Sequence, residues 1–212
     1  MTHSWHENAY TYGLWPHIDP LLAHHLHGLA PWEWLNDWGN ILCRIGATLG
    51  AEYLRVAPTV WVHRSAEVAA DATILGPTVV CEGAEVRPAA YLRGDVWVGA
   101  HCVVGHATEV KHSLLMAYAA APHFNYVGDS VLGSGAHLGA GAILSNLRHD
   151  GLPVTVRLAA DVYPTGRRKM GALVGEGAEV GCGAVLNPGV VLAAGAVVHP
   201  LRSVTGFVGG AM

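Results

Sequence analysis

The 212-residue chain is 51% apolar and only 13% charged, with a formal net charge of -4, which gives no reason to expect nucleic acid as a partner. Polar residues or glycines break every apolar run before it reaches the roughly 18 residues of a membrane helix, so no membrane span is expected. The four cysteines (Cys43, Cys81, Cys102, Cys182) lack metal-type spacing, which suits a reduced, cytoplasmic protein.

In chain order, the opening MTHSWHENAYTYG shows no basic stretch followed by an apolar core, so no secretory leader is expected. Next comes a histidine-rich stretch (His17, His24, His25, His27), with no cysteine or carboxylate at ligand spacing, which reads as solvated or packing residues. In PWEWLNDWGNILCRIGATL the apolar residues Trp34, Leu35, Trp38, Ile41, Leu42, Ile45 and Leu49 recur at helical spacing, and Pro31 suits a first turn. Residues 1–57 are therefore expected to form a helical segment that caps the open first coil of a repeat region beginning at residue 58.

From residue 58 a period of six takes over. Apolar residues occupy Val62, Val68, Ile74, Val80, Val86, Leu92, Val98, Val104, Val110 and Met116 without a failure. After a slip the series restarts at Tyr126, Leu132, Leu138 and Leu144, and resumes as Val174, Val180, Leu186, Leu192, Val198 and Val204. Small and turn residues fill the intervals, as in VGEGAE and LGAGAI. Each unit reads as a short strand plus a tight turn, with one aliphatic side chain directed to the axis. Three units close one coil of a triangular solenoid, and the coils stack through shared backbone hydrogen bonds. The reading is an all-β parallel solenoid of about six to seven coils over residues 58–206, with 207–212 as a tail. Residues 117–125 and 148–170, the latter carrying Arg157, Arg167, Arg168 and Lys169, are expected to leave the stack as loops.

The runs EVRPAAYLRGDVWVGAHCVVGHATEVKHSLL, APHFNYVGDSVLGSGAHLGAGAILSNLR and TGRRKMGALVGEGAEVGCGAVLNPG closely resemble left-handed β-helix (hexapeptide-repeat) acyltransferases. They are most similar to the glucosamine-1-phosphate N-acetyltransferase half of bifunctional UDP-N-acetylglucosamine biosynthesis enzymes and to stand-alone bacterial relatives. The likeness spans about residues 58–206, and its most specific part is the H-x-x-Y-x-G-D-S core. It implies a left-handed coil sense, acetyl-CoA as co-substrate, an amino-sugar acceptor such as a hexosamine 1-phosphate or a related nucleotide-sugar precursor, and a homotrimer with its site at the subunit interface. No nucleotidyltransferase activity is expected, because the matching half has no counterpart here, and no metal is expected for acyl transfer.

Amide formation needs a base near neutral pH and donors for the developing oxyanion. The resemblance places His123 as the base and the Ala140 N–H against the thioester oxygen. By the same likeness Tyr126, Asn146, Arg93 and Lys111 contact the sugar phosphate, although Tyr126 also lies on the six-residue register and so has a packing alternative. Arg93 and Lys111 are eighteen residues apart and should stack on one face. Cys182 falls near the acyl donor, where relatives carry serine, and reads as an inert small hydrophobe. His137 replaces an amide of the sugar pocket. The loop after Ser145-Asn146 holds Leu152 and Thr155 where relatives carry phosphate-gripping lysines, leaving Arg148, Arg157 or the TGRRK cluster as substitutes. Two rival readings remain. One is a zinc protein of the γ-class carbonic anhydrase type using His101, His106 and either His112 or His137; the other is a scaffold without catalysis.

Overall fold

A computed structural model of the protein describes residues 14–158 and 161–210. The opening residues read for a leader, 1–13, lie outside the described residues. Among the described residues, two short helices, α1 (Pro20–Leu26) and α2 (Trp38–Gly46), precede a stack of very short strands. Asp19 caps α1, its carboxylate accepting from the Leu21 N–H at 2.8 Å.

The strands form three sheets that make the sides of a prism. The first sheet has nine strands, from Tyr53–Ala57 to Phe207–Val208; the second has seven, from Glu67–Val68 to Val197–Val198; the third has seven, from Thr73–Leu75 to Ser203–Val204. Within each sheet successive coils pair in parallel, the exception being Tyr53–Ala57, which pairs antiparallel with Val60–His63. The solenoid expected from the period of six is thus present, with seven complete coils and the start of an eighth rather than six to seven. The supposed tail begins inside the fold, since Phe207 and Val208 pair with Val191 and Leu192.

The axis is filled by one aliphatic column per sheet, including Val80, Leu92, Val98, Val104, Leu115, Leu132, Leu144 and Leu186, all fully buried. Burying side chains of this size contributes roughly 1.5–3 kcal/mol each. Each edge of the prism turns through a residue at positive φ, often a glycine, but His101, His112, Tyr118, Phe124 and Asp129 also adopt it. Such strain, about 1–2 kcal/mol per non-glycine residue, is tolerated because the coils above and below fix each turn.

The slip in the sequence is not a loop. Residues 120–123 form a strand paired to Val103–His106, with Ala120 opposite Val103 and His123 opposite His106. Ala119 and Ala121 are fully buried and fill the axis. Two successive coils are each one residue short, because one unit in each is five residues long: the inward series runs Val110, Leu115, Ala121, Val127, Leu132. Met116 and Tyr126, both counted in the period of six, are off the axis; Met116 joins the outer core and Tyr126 is only half-buried.

Residues 1–57 were expected over the open end of the stack. The described part of the helical segment lies instead along the outer face of the first sheet. There the middle residues Trp61, Val79, Trp97, Leu114, Val131, Leu173 and Val191 form a second buried column, covered by Leu22, Leu26, Trp38, Leu42 and Ile45. The physical reason lies in the strands VWV, TVV and SLL, which are apolar at three successive positions or nearly so, the mark of a sheet buried on both faces. Edge protection falls to the antiparallel strand Tyr53–Ala57. The 148–170 insertion does leave the coil, as expected, and forms a hairpin of Thr155–Leu158 with Asp161–Pro164. Its Val154, Val156 and Leu158 return to the same outer face.

Candidate active site

Two groups of the residues singled out in sequence come together, at the two edges of the third sheet. Along the edge between the second and third sheets, His106, His123, Ala140 and Cys182 succeed one another coil by coil. His123 is paired with His106, the Gly141 N–H donates to the His123 carbonyl at 2.9 Å, and the Gly183 N–H donates to the Ala140 carbonyl at 2.8 Å. His123 is exposed, and among the described residues its ring has no hydrogen-bond partner. The Ala140 N–H has no backbone acceptor among the described residues and Ala140 is exposed. Cys182 is exposed as well. His137 stands elsewhere: it lies at the start of its strand between Ala120 and Glu179, with Nδ1 3.2 Å from the Glu179 carboxylate. The structure does not bring it to the sugar-pocket residues.

At the opposite edge of the third sheet, Lys111, His112, Asp129, Asn146 and Arg167 converge. Asp129, 3% exposed, accepts from Lys111 Nζ at 3.0 Å and lies 2.9 Å from His112 Nδ1. Asn146 Nδ2 donates to the same carboxylate and lies 3.3 Å from the Tyr126 hydroxyl. Arg167 reaches in from the insertion, 3.9 Å from Asp129, while its other nitrogen donates to the Asn36 side chain at 2.8 Å. Burial opposes charge on Asp129, but the hydrogen bonds from His112, Lys111 and Asn146 outweigh it and hold the carboxyl down at about 2. Burial pushes the Arg167 guanidinium below its ordinary value, against the pull of Asp129. One carboxylate thus faces a lysine, an arginine and a histidine, which leaves the cluster cationic.

Tyr126 crosses from one edge group to the other because position 128 is glycine. A Cβ there would stand 2.7 Å from both the Tyr126 hydroxyl and Asn146 Nδ2. The packing alternative for Tyr126 is therefore removed, since Val127 takes the axial position. Arg93 lies one coil from Lys111 on the same face, as its spacing implied, and its Nη1 is 2.6 Å from Glu109.

Asp129 lies inside the H-x-x-Y-x-G-D-S core but was given no role in sequence, and Arg167 was named only among the cations of the insertion. The signal for Asp129 was a spacing of seventeen, His112 to Asp129 to Asn146, the length of the shortened coils. Arg167 had no such signal, because it arrives from outside the repeat. The three histidines of the zinc reading do not converge within the chain. His101, His106 and His112 stand at three different edges, and among the described residues no three metal-ligating side chains cluster.

No protein-family model matches the chain. Over 174 residues it is 32% identical to a bifunctional sugar-1-phosphate nucleotidylyltransferase/acetyltransferase of Sulfurisphaera tokodaii, a match covering 80% of this chain and 43% of that protein. The chain is related by sequence to these bifunctional proteins. A second relative, the bifunctional protein GlmU of Methanococcus vannielii, is 33% identical over 113 residues, covering 53% of this chain and 27% of that one. The resemblance drawn from the hexapeptide repeats and the PHFNYVGDS core is thereby met, while the chain spans less than half the length of these relatives. Among solved structures, UDP-N-acetylglucosamine acyltransferase from Campylobacter jejuni overlaps 66% of this chain and 58% of its own at 18% identity, with a TM-score of 0.41; so loose a match bears on no chemistry.

Proposed function

We propose that the chain is an acetyl-CoA-dependent N-acetyltransferase acting on an amino sugar, a hexosamine 1-phosphate or a related nucleotide-sugar precursor, with His123 as general base. The observation that carries the reading is the coil-by-coil ladder of His123, Ala140 and Cys182, set across one strand from Tyr126 and Asn146. His123 accepts the proton of the acceptor amine as the amine nitrogen bonds to the thioester carbonyl carbon. The Ala140 N–H donates to the carbonyl oxygen as that oxygen gains negative charge. When the tetrahedral centre collapses, the carbon–sulfur bond breaks and the departing thiolate takes up the proton held by His123. Tyr126, Asn146 and Lys111 orient the sugar. No metal enters this scheme.

The site is completed at the interface of a homotrimer in the cytoplasm. Two exposed apolar residues at the His123 edge support an interface there: Phe124 is 60% exposed and Leu201 83%. No helix among the described residues is long and apolar enough to cross a membrane.

The test is thiol release from acetyl-CoA across a panel of amino sugars, free, 1-phosphorylated and nucleotide-linked. The expected result is turnover with at least one member that disappears in His123→Ala. Full activity in that variant removes the base assignment. Silence across the whole panel, from folded protein, favours a scaffold.

A further inference from the structure

Between His123 and Tyr126 the H-x-x-Y core holds two residues, Phe124 and Asn125, to which acetyl transfer assigns nothing. Phe124 is exposed, but Asn125 is a polar side chain only 3% exposed. A buried amide is stable only where its donors and its acceptor are met. Asn125 Oδ1 accepts from the His123 N–H at 3.1 Å, and Asn125 Nδ2 donates to the Gly139 carbonyl at 2.8 Å. The Asn125 main chain is anchored to the preceding coil: its N–H donates to Thr108 Oγ1 at 3.2 Å, and its carbonyl accepts from the Glu109 N–H at 2.9 Å. The direction of the amide follows from its partners. An N–H needs an acceptor and a carbonyl needs a donor, so the oxygen faces His123 and the nitrogen faces Gly139.

These two partners bracket the proposed chemistry. His123 is the base, and its backbone is held at both ends, because its carbonyl accepts from the Gly141 N–H at 2.9 Å. Phe124 turns at φ +53°, a conformation unfavourable for a side chain of this size, and the Asn125 bond to the His123 N–H closes that turn. The Gly139 carbonyl belongs to the peptide whose N–H is that of Ala140, the donor to the thioester oxygen. The same carbonyl accepts a second hydrogen bond, from the Ala142 N–H at 3.1 Å. Carbonyl and N–H share one conjugated amide, so hydrogen bonds accepted at the oxygen polarise the N–H at the other end. The Ala140 N–H, with no backbone acceptor among the described residues, is the free end of that peptide. Gly139 is also pinned from the following coil, where a Cβ on it would stand 2.6 Å from the Cys182 nitrogen.

We propose that Asn125 is a positioning residue whose single amide fixes the base at His123 relative to the oxyanion donor at Ala140 and strengthens that donor. The catalytic sense of this assignment rests on the acetyl-transfer reading. Being buried, Asn125 acts through His123 and Ala140 rather than on the substrate.

Two variants test the assignment. Asn125→Ala removes both hydrogen bonds. Asn125→Asp has the same shape and keeps the acceptor for the His123 N–H, but its carboxylate cannot donate to Gly139. With an acceptor found by thiol release, kcat should fall about 10- to 100-fold in both variants, while KM for acetyl-CoA and for the acceptor stays within about threefold. Proton–nitrogen correlation spectra add a readout that needs no turnover. In Asn125→Asp the Ala140 amide proton should move upfield, whereas the His123 amide, still bonded, should stay near its wild-type position. An amide that serves stability alone would lower Tm and leave kcat per folded molecule unchanged. That result in either folded variant, or an unmoved Ala140 resonance in Asn125→Asp, overturns the inference and leaves the transferase reading standing. Wild-type silence across the whole acceptor panel removes the transferase reading, and the catalytic role of Asn125 with it.

Discussion

Replacing Asp129 with asparagine should destabilise the protein in a way that depends on pH. The carboxyl is held at about 2 against an ordinary value of 3.8 by Lys111, His112 and Asn146. A depression of nearly two pKa units corresponds to about 2–3 kcal/mol of preferential interaction with the charged form. For a chain of this size that is a fall in Tm of about 4–12 °C at pH 7. Because the folded-state pKa is depressed, the contribution is complete above about pH 4 and is lost as pH falls through 2; at pH 3 about half should remain. Urea unfolding of wild type and Asp129→Asn at pH 7 and pH 3 measures both quantities. Equal midpoints at pH 7 would refute the electrostatic account, and so would a difference of the same size at both pH values.

His123→Ala should lower acetyl transfer by about 10²–10⁴-fold with an unchanged Tm, because the side chain is exposed; circular dichroism melting and thiol release separate the two effects. Gly128→Ala should raise KM for the acceptor, because the new Cβ displaces the Tyr126 hydroxyl and Asn146 Nδ2, each 2.7 Å from it; an unchanged KM would detach these residues from the sugar. Val127→Asp should abolish folding by placing a charge on the axis, at a cost of several kcal/mol, while Tyr126→Asp should fold; the reverse outcome restores the strict six-residue register. Gly189→Ala should cost about 1–2 kcal/mol and unseat the Thr155–Leu158 hairpin, because the new Cβ would meet the Thr155 carbonyl; hydrogen exchange of residues 154–158 would detect this as lost protection.

The solenoid was legible because each coil repeats one local rule, an inward aliphatic every six residues with a small residue at the turn. That rule needs no long-range information, and Val62 to Val110 obey it without exception. It misled at Met116 and Tyr126, where five-residue units shorten two successive coils. An apolar residue at a position does not reveal which way its side chain points, and chain pairing alone put Leu115 and Val127 on the axis. The resemblance brought His123, Ala140 and Cys182 forward, and stacking explains why residues so far apart in sequence form one ladder. His137 shows the converse, since matching a motif position did not bring it to the sugar-pocket residues.

The sequence by itself determined the repeat, the parallel three-sided stack and the kind of chemistry its core motif resembles. Only the tertiary structure decided where the non-repeating parts go. The helical segment lies along the first sheet, because strands apolar on both faces need cover on their outer side. The insertion folds back over the same sheet and carries Arg167 to Asp129. That arginine obeys no period, and its partner is fixed by the route of the chain outside the coil, which local sequence does not encode.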